Sequence, residues 1–394
     1  MGYQETHKFI SFRKSWSLND DAWFKLGQSK SLIKAISSTP LMPMYRSKIY
    51  SVNLIKGALA TTAIEGNTLS EEEIALIHQG KSLPFSKQYM EIEVKNVLGA
   101  LNILRDRIVV DCKTQLLDQN LIKEFHKLIG SNLGPNFEAT PGEFRRHNVT
   151  VGHVYRAPDS SEVEMLIKAF CDWSRIEFHY ERGQSFSTAI IQAIVSHVYI
   201  AWIHPFGDGN GRTARLLEFY LLLRAGVPDI AAHILSNFYN STRSEYYRQL
   251  AESSKNGGDL TNFINYALQG FKDGLQEVFD IVNQNQIDLA WKNYVNDVFH
   301  SSMYLGKSDP VNRRRLSLIL SMGLENEYSF EEISETNEII KLHYTGKSKR
   351  TLQRDVESLL EMKLIYKTEN ERFKANSKIL TGTLPGSVKG KNII

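Results

Sequence analysis

Cysteine is almost missing from this chain: Cys112 and Cys171 are the only two among 394 residues. A disulfide scaffold and a cysteine-rich zinc module are thereby excluded. One-sided charge is missing too. Lys plus Arg total 47 against 44 Asp plus Glu, and the formal net charge of +3 does not by itself argue for nucleic acid or membrane as partner. The strongest apolar run, Leu216–Leu223, is broken by Glu218 and is far short of the roughly 20 residues of a membrane span. The opening residues, Met1 to Lys8, show no basic head followed by an apolar stretch, so no secretory leader is expected and a reducing cytoplasm is the expected compartment. Strand patterns are scarce and no internal repeat is evident. What remains is globular: 42% apolar and 23% charged residues exclude a disordered chain or a low-complexity filament.

The length gives a prior of about two or three domains. Charge divides them. Residues 307–394 carry 16 basic against 12 acidic side chains, a local net of +4, while the remainder carries 31 against 32, a net of −1. The break falls at Gly306-Lys307-Ser308-Asp309-Pro310, which has linker chemistry.

Before that break the pattern is helical. Ile49, Val52, Leu54, Ile55 and Leu59 recur at helical spacing through a segment Ser47–Glu65 that stops at Gly66-Asn67. Ser70-Glu71-Glu72-Glu73 is a capping box opening a helix that ends near Gly80. Glu91–Leu104 and Asp118–Ile129 read as two more helices. Phe186–Trp202 and Thr213–Ala225 are apolar nearly all round, the mark of buried helices. The best strand signal is Asn148–Gly152, with Val154-Tyr155 as its return.

Between the two buried helices lies His204-Pro205-Phe206-Gly207-Asp208-Gly209-Asn210-Gly211-Arg212-Thr213-Ala214-Arg215. Gly209-Asn210-Gly211 can turn successive N–H groups into one concavity, and the helix that follows adds its positive end, giving an anion site suited to phosphates. Asp208 is a hard oxygen ligand suited to Mg²⁺ on those phosphates. Arg212 and Arg215, three apart, reach toward one anion. A neutral His204 could accept the proton of an attacking hydroxyl. Singly, each feature has a bland explanation: Gly-Asn-Gly is a common turn, a histidine often caps a helix, and an aspartate before glycine is ordinary turn chemistry. A base, a carboxylate, a glycine nest and two arginines within twelve residues have little purely structural use.

This string resembles the Fic family motif His-Pro-Phe-x-Asp/Glu-Gly-Asn-Gly-Arg-x-x-Arg at every defined position. The resemblance spans roughly residues 45–270 and includes the preceding helix Ala193–Trp202, His126, and the segment Ser236–Tyr247 before the paired tyrosines. It implies a mainly α fold: an N-terminal helical region over 1–90, a helical Fic core over 91–290 with a small β-hairpin flap, and a third domain over 307–394. It also implies a protein adenylyltransferase that moves AMP from ATP to a Ser, Thr or Tyr hydroxyl of a protein, itself included. His204 would be the base and Asp208 would hold Mg²⁺. Gly209, Asn210, Gly211 and Arg212 would cradle the phosphates, with Arg215 on the γ-phosphate. Pro141–Arg145 followed by Val149-Thr150-Val151-Gly152 resembles the flap that docks the target by strand-like pairing.

Thr61-Thr62-Ala63-Ile64-Glu65-Gly66 resembles the family's inhibitory pattern Ser/Thr-x-x-x-Glu-Gly/Asn. An acid at a helix C-terminus is slightly unfavourable and calls for a local cation. The resemblance supplies it: Glu65 would pair with Arg215 and displace the γ-phosphate's partner. One position departs from related chains, which carry Asn-Arg before the paired tyrosines; here Thr242-Arg243 precedes Tyr246-Tyr247.

Beyond residue 310, helices at Arg313–Met322, Phe330–Thr336 and Lys347–Lys363 precede strand signals at Leu364–Lys367 and Arg372–Lys374. This looks like a winged helix-turn-helix, in which Lys347, Lys349, Arg350 and Arg354 cluster at the start of the third helix. Such modules bind DNA or serve as protein-docking and dimerisation modules. Alternatives to the leading reading are transfer of a different nucleotide, de-AMPylation by the same site, and a DNA-binding regulator that uses the Fic module as a nucleotide sensor. A homodimer is compatible with either; a membrane partner is not expected.

Overall fold

Caps decide where the first helices start. The computed structural model describes residues 2–152, 155–179, 185–301 and 309–381. Asn19 accepts a hydrogen bond from Ala22 N–H and opens α1 (Asp20–Ser38). Pro43 occupies the first turn of α2 (Pro43–Ala63), where its missing N–H costs nothing. Ser70 and Glu73 form the expected capping box on α3 (Glu71–His78), and Gly80 follows at φ +81°, a conformation that favours glycine. Next come α4 (Gln88–Arg105) and α5 (Gln119–Gly130), the latter capped by Asp118.

A hairpin of β1 (Thr150–Val151) and β2 (Tyr155–Arg156) pairs Thr150 with Arg156 and Val151 with Tyr155. Val154 lies outside the described residues. Then follow α6 (Val163–Glu177), α7 (Phe186–Ile203) and α8 (Asn210–Arg224). α9 (Ile234–Ser241), α10 (Arg243–Lys255) and α11 (Thr261–His300) complete the series.

α7 and α8 pack on each other at the centre and are buried along nearly their whole length, as their all-round apolar pattern requires. By length and composition α7, not Leu216–Leu223, is the segment apolar enough to cross a membrane, but 78% of it is buried inside the protein. It is a core helix. The mainly α class is as expected, with only two-stranded sheets among the described residues.

The chain divides into two compact units, 1–280 and 281–394, and the division falls inside α11 rather than at Gly306–Pro310. Residues 306–308 of that linker lie outside the described residues. The 1–90 segment forms no unit of its own: α2 packs on α4, α8 and α9 within the first unit.

The second unit has its own core, which includes Trp291, Leu318, Ile333, Ile340, Leu352, Leu359 and Phe373. It contains α12 (Asp309–Ser321), α13 (Phe330–Ile333), α14 (Glu338–Tyr344) and α15 (Lys349–Glu361). A hairpin of β3 (Ile365–Lys367) and β4 (Phe373–Ala375) follows, and Tyr328 bridges to Phe373 at its edge. α14, with Asn337 as its cap, is a helix the spacing did not reveal.

Candidate active site

The loop between α7 and α8 begins under strain. His204 closes α7 in the left-handed region at φ 50° and ψ 60°, a conformation that costs a residue with a β-carbon about 1–2 kcal/mol. Arg145 holds it there. Its Nε donates to His204 O at 2.8 Å, Nη1 to His147 O at 3.0 Å, and Nη2 to Pro158 O at 2.6 Å. Its backbone N–H donates to Pro205 O at 3.0 Å. A buried guanidinium whose hydrogen bonds all go to carbonyls thus fastens this loop to the base of the hairpin.

The His204 ring faces Ala201 O through Nδ1 at 3.3 Å. A carbonyl needs a donor, so Nδ1 carries the proton and Nε2 the lone pair. Burial pulls the imidazole down to about 4, so it is neutral near pH 7, the state a general base needs. His126 on α5 is a second fastening. Nδ1 accepts from Gly142 N–H at 2.9 Å and Nε2 faces Asp208 O at 3.0 Å. The ring lies flat on Phe206 with centroids 3.7 Å apart, which anchors the loop in the core. Burial also brings His126 down to about 4, preserving the acceptor that Gly142 uses.

Gly209 takes φ +76° at the start of α8, and a Cβ there would meet Ile129 at 2.7 Å. Asn210 turns inward: Oδ1 accepts from Phe206 N–H and Nδ2 donates to Phe206 O, both at 2.9 Å. Its side chain therefore shapes the nest, and only its backbone is left for an anion. Asp208 is about one-third exposed and accepts from Gly209 N–H and from Arg212 Nη2, the latter at 2.9 Å. Among the described residues no group of three or more His, Cys, Asp or Glu side chains could hold a metal. A lone carboxylate suits Mg²⁺ only where the ligand's own oxygens supply the rest of the shell, as nucleotide phosphates do.

Both arginines are buried and already engaged. Arg212 bonds Asp208 and Glu93, a residue of α4 that Asn67 Nδ2 holds from the other side at 2.7 Å. Burial pushes the Glu93 carboxyl up while Arg212 opposes it. Arg215 Nη2 bonds Thr61 O at 2.9 Å and Glu65 Oε1 at 2.5 Å. Although burial opposes it, Arg215 holds the Glu65 carboxyl below its usual range. A Cβ on Gly211 would sit 2.1 Å from Glu65 Oε1, so this glycine is what lets the carboxylate settle on the first turn of α8. Arg215 Nη1 and Nε and Arg212 Nε are buried without a partner. Unpaired buried donors converging on a helix N-terminus are cationic capacity beyond what the three carboxylates use.

The end of α2 is gripped a second time. Arg243 Nη2 and Tyr247 OH both donate to Ile64 O, at 2.6 and 3.3 Å. Thr242 is turned away, its hydroxyl on Phe238 O and Tyr266 OH. On the hairpin, Val149 O accepts from Ala157 N–H at 3.2 Å, Gly152 takes φ +54°, and Thr150 and Val151 are exposed.

The Fic/DOC family model matches residues 116–222, which hold the whole of the loop just described. That stretch is what the chain shares with the Fic/DOC family. Its sequence is 32% identical over 208 residues to a protein adenylyltransferase Fic of Nematostella vectensis, covering 52% of this chain and 44% of that one. It is 31% identical over 222 residues to protein adenylyltransferase fic-1 of Caenorhabditis elegans, covering 55% and 39%. The chain thus spans less than half the length of these curated relatives. A crystal structure of a Fic family protein from Desulfovibrio desulfuricans shares the fold at TM-score 0.55 and 19% identity, covering 95% of this chain and all of that one. Glu93, Arg145 and the inward turn of Asn210 are parts of this site that the motif alone did not disclose. Arg145 does have a signal, an arginine closing Pro141-Gly142-Glu143-Phe144-Arg145.

Proposed function

We propose that this chain is a protein adenylyltransferase held off by its own Glu65. The observation that carries the reading is the Glu65 carboxylate, an internal anion seated on Gly211 and Arg215, beside guanidinium donors that still lack a partner. A nucleotide's phosphates have the chemistry to take that place. In the reaction, a target Ser, Thr or Tyr hydroxyl oxygen attacks the α-phosphorus of ATP. The hydroxyl proton goes to His204 Nε2, the bond from the α-phosphorus to the bridging oxygen breaks, and pyrophosphate leaves. Arg212 and Arg215 neutralise the charge that builds on the phosphates. Asp208 would hold Mg²⁺, which when bound adds charge neutralisation at the same oxygens. The free edge of β1 at Thr150 and Val151 offers main-chain pairing to an extended target segment.

While Glu65 holds Arg215, the γ-phosphate loses a cation and meets a like charge. The test is mass spectrometry of the Glu65→Gly protein after incubation with ATP and Mg²⁺. A gain of one AMP on a hydroxyl side chain is expected. No adduct, or loss of AMP from a pre-modified protein, would overturn the reading. Competition among ATP, GTP and UTP on that variant identifies the nucleotide.

A further inference from the structure

The second unit carries a charged surface that this reaction does not use. α14 and α15 are joined by Thr345-Gly346-Lys347-Ser348, where Gly346 at φ +73° makes the turn. α15 buries Leu352, Asp355, Val356 and Leu359. The opposite face is therefore outward: Lys349, Arg350, Gln353 and Arg354 are all exposed, as are Lys347 in the turn and Lys341 on α14 before it.

The pairing of these cations sets them apart from their neighbours. Arg314 and Arg315 converge on buried Asp355. On the hairpin, Lys367 pairs with Glu371, Arg372 with Glu332 and Lys374 with Glu325. Lys341, Lys347, Lys349, Arg350 and Arg354 are exposed, and among the described residues they have no ion pair with any carboxylate. The exposed acids of α15, Glu357 and Glu361, stand at its far end. The helix is thus cationic in its first half, where its dipole is also positive. Arg350 and Arg354, four apart, repel each other slightly in the free protein. That repulsion is relieved by a repeating anion.

We propose that this face binds duplex DNA, with Lys341, Lys347 and Lys349 on phosphates and the first half of α15 in the major groove. The first half of the second helix of a helix-turn-helix is the part that reaches base edges. Arg350 and Gln353 are side chains of the types that bond guanine and adenine there. A protein partner would call for an apolar or aromatic anchor at the centre of the patch; this face of α15 offers none, and the exposed Ile339 and Leu342 stand on α14, away from the cationic turn and first half of α15.

The test is fluorescence anisotropy of the full-length chain with labelled random-sequence duplex DNA across a salt series. Three phosphate contacts predict a log–log salt slope of about −3. The Lys347→Glu/Lys349→Glu double variant is expected to lose affinity by about tenfold or more and to reduce the slope by about 2. Lys374→Glu, on the already paired hairpin, is expected to leave binding within about twofold. Absence of binding at low salt, equal loss in the hairpin variant, or tighter binding to an RNA hairpin would overturn the proposal. Glu65→Gly labelling should be the same in all these variants, so this proposal and the adenylyltransferase reading fail separately.

Discussion

Each unit of this protein turns a pair of nearby arginines inward onto acids, and the two pairs are satisfied in opposite ways. In the second unit Arg314 and Arg315 share one acid, Asp355, which is 1% exposed and also takes a hydrogen bond from Tyr344 OH at 2.9 Å. Everything there comes from helices that pack on one another within a single small core. In the first unit Arg212 and Arg215 each reach a different acid far away in the chain, Glu93 and Glu65, and the Glu65 side chain is 31% exposed. A partner at the open end of a helix can leave; a partner in the middle of a core helix cannot. The first arrangement is suited to exchange and the second to permanence.

The sharpest way to break that comparison is to remove each acid. Glu65→Gly should raise self-labelling with ATP by at least an order of magnitude, and His204→Ala in that background should take it away by about 10²–10⁴-fold. Unchanged labelling in the first variant would make Glu65 a structural acid like Asp355. Asp355→Ala strands two buried cations and should destabilise the second unit by about 3–5 kcal/mol, read as an earlier unfolding transition. Glu65→Gly also leaves the buried Arg215 without its acid, but there nucleotide phosphates can take the vacated place, so added ATP should restore the lost stability in that variant and not in Asp355→Ala.

A smaller effect tests how the site is framed. Arg145 and His126 tie three carbonyls of the catalytic loop, at His204, Pro205 and Asp208, to the segment before the hairpin. In the Glu65→Gly background, Arg145→Lys keeps the charge but not the fork of donors. It should lower kcat by about tenfold with little change in KM for ATP, measured by steady-state labelling. A change in KM alone would mean that Arg145 acts on nucleotide binding instead.

These framing residues also show what a sequence discloses. The loop was legible because its chemistry is local: base, carboxylate, glycines and arginines fall within twelve consecutive positions. The capping box at Ser70 was legible for the same reason. Glu93 was not, because its partner Arg212 is 119 positions away and neighbouring Glu91 has the same composition and burial. The motif specifies a residue type and not a direction, so it places the backbone of Asn210 in the nest without disclosing that its side chain turns to Phe206. The boundary near Gly306 followed charge, which reports on solvent, whereas the division at Asp280 follows packing along a 40-residue helix.

The smallest expected effect is a flat line. His204 titrates near 4 because burial disfavours its cation, so between about pH 5 and 8 it stays neutral and able to accept a proton. The Glu65 carboxyl, held low by Arg215, stays ionised over the same window and keeps its grip. Labelling by the Glu65→Gly variant should therefore be nearly constant from about pH 5 to 8 and fall only as pH drops through about 4. A half-loss near the ordinary histidine value of about 6.5 would show that the base is exposed to water in the working enzyme. Stability should move where activity does not. His126, His204 and His233 all lie near 4 when folded and near 6.5 when unfolded, so the unfolded chain binds more protons between those values. Folding stability should then fall as pH is lowered from about 6.5 to about 4. In His126→Gln that slope should shrink by about one proton, since the amide can still meet both Gly142 and Asp208 without titrating.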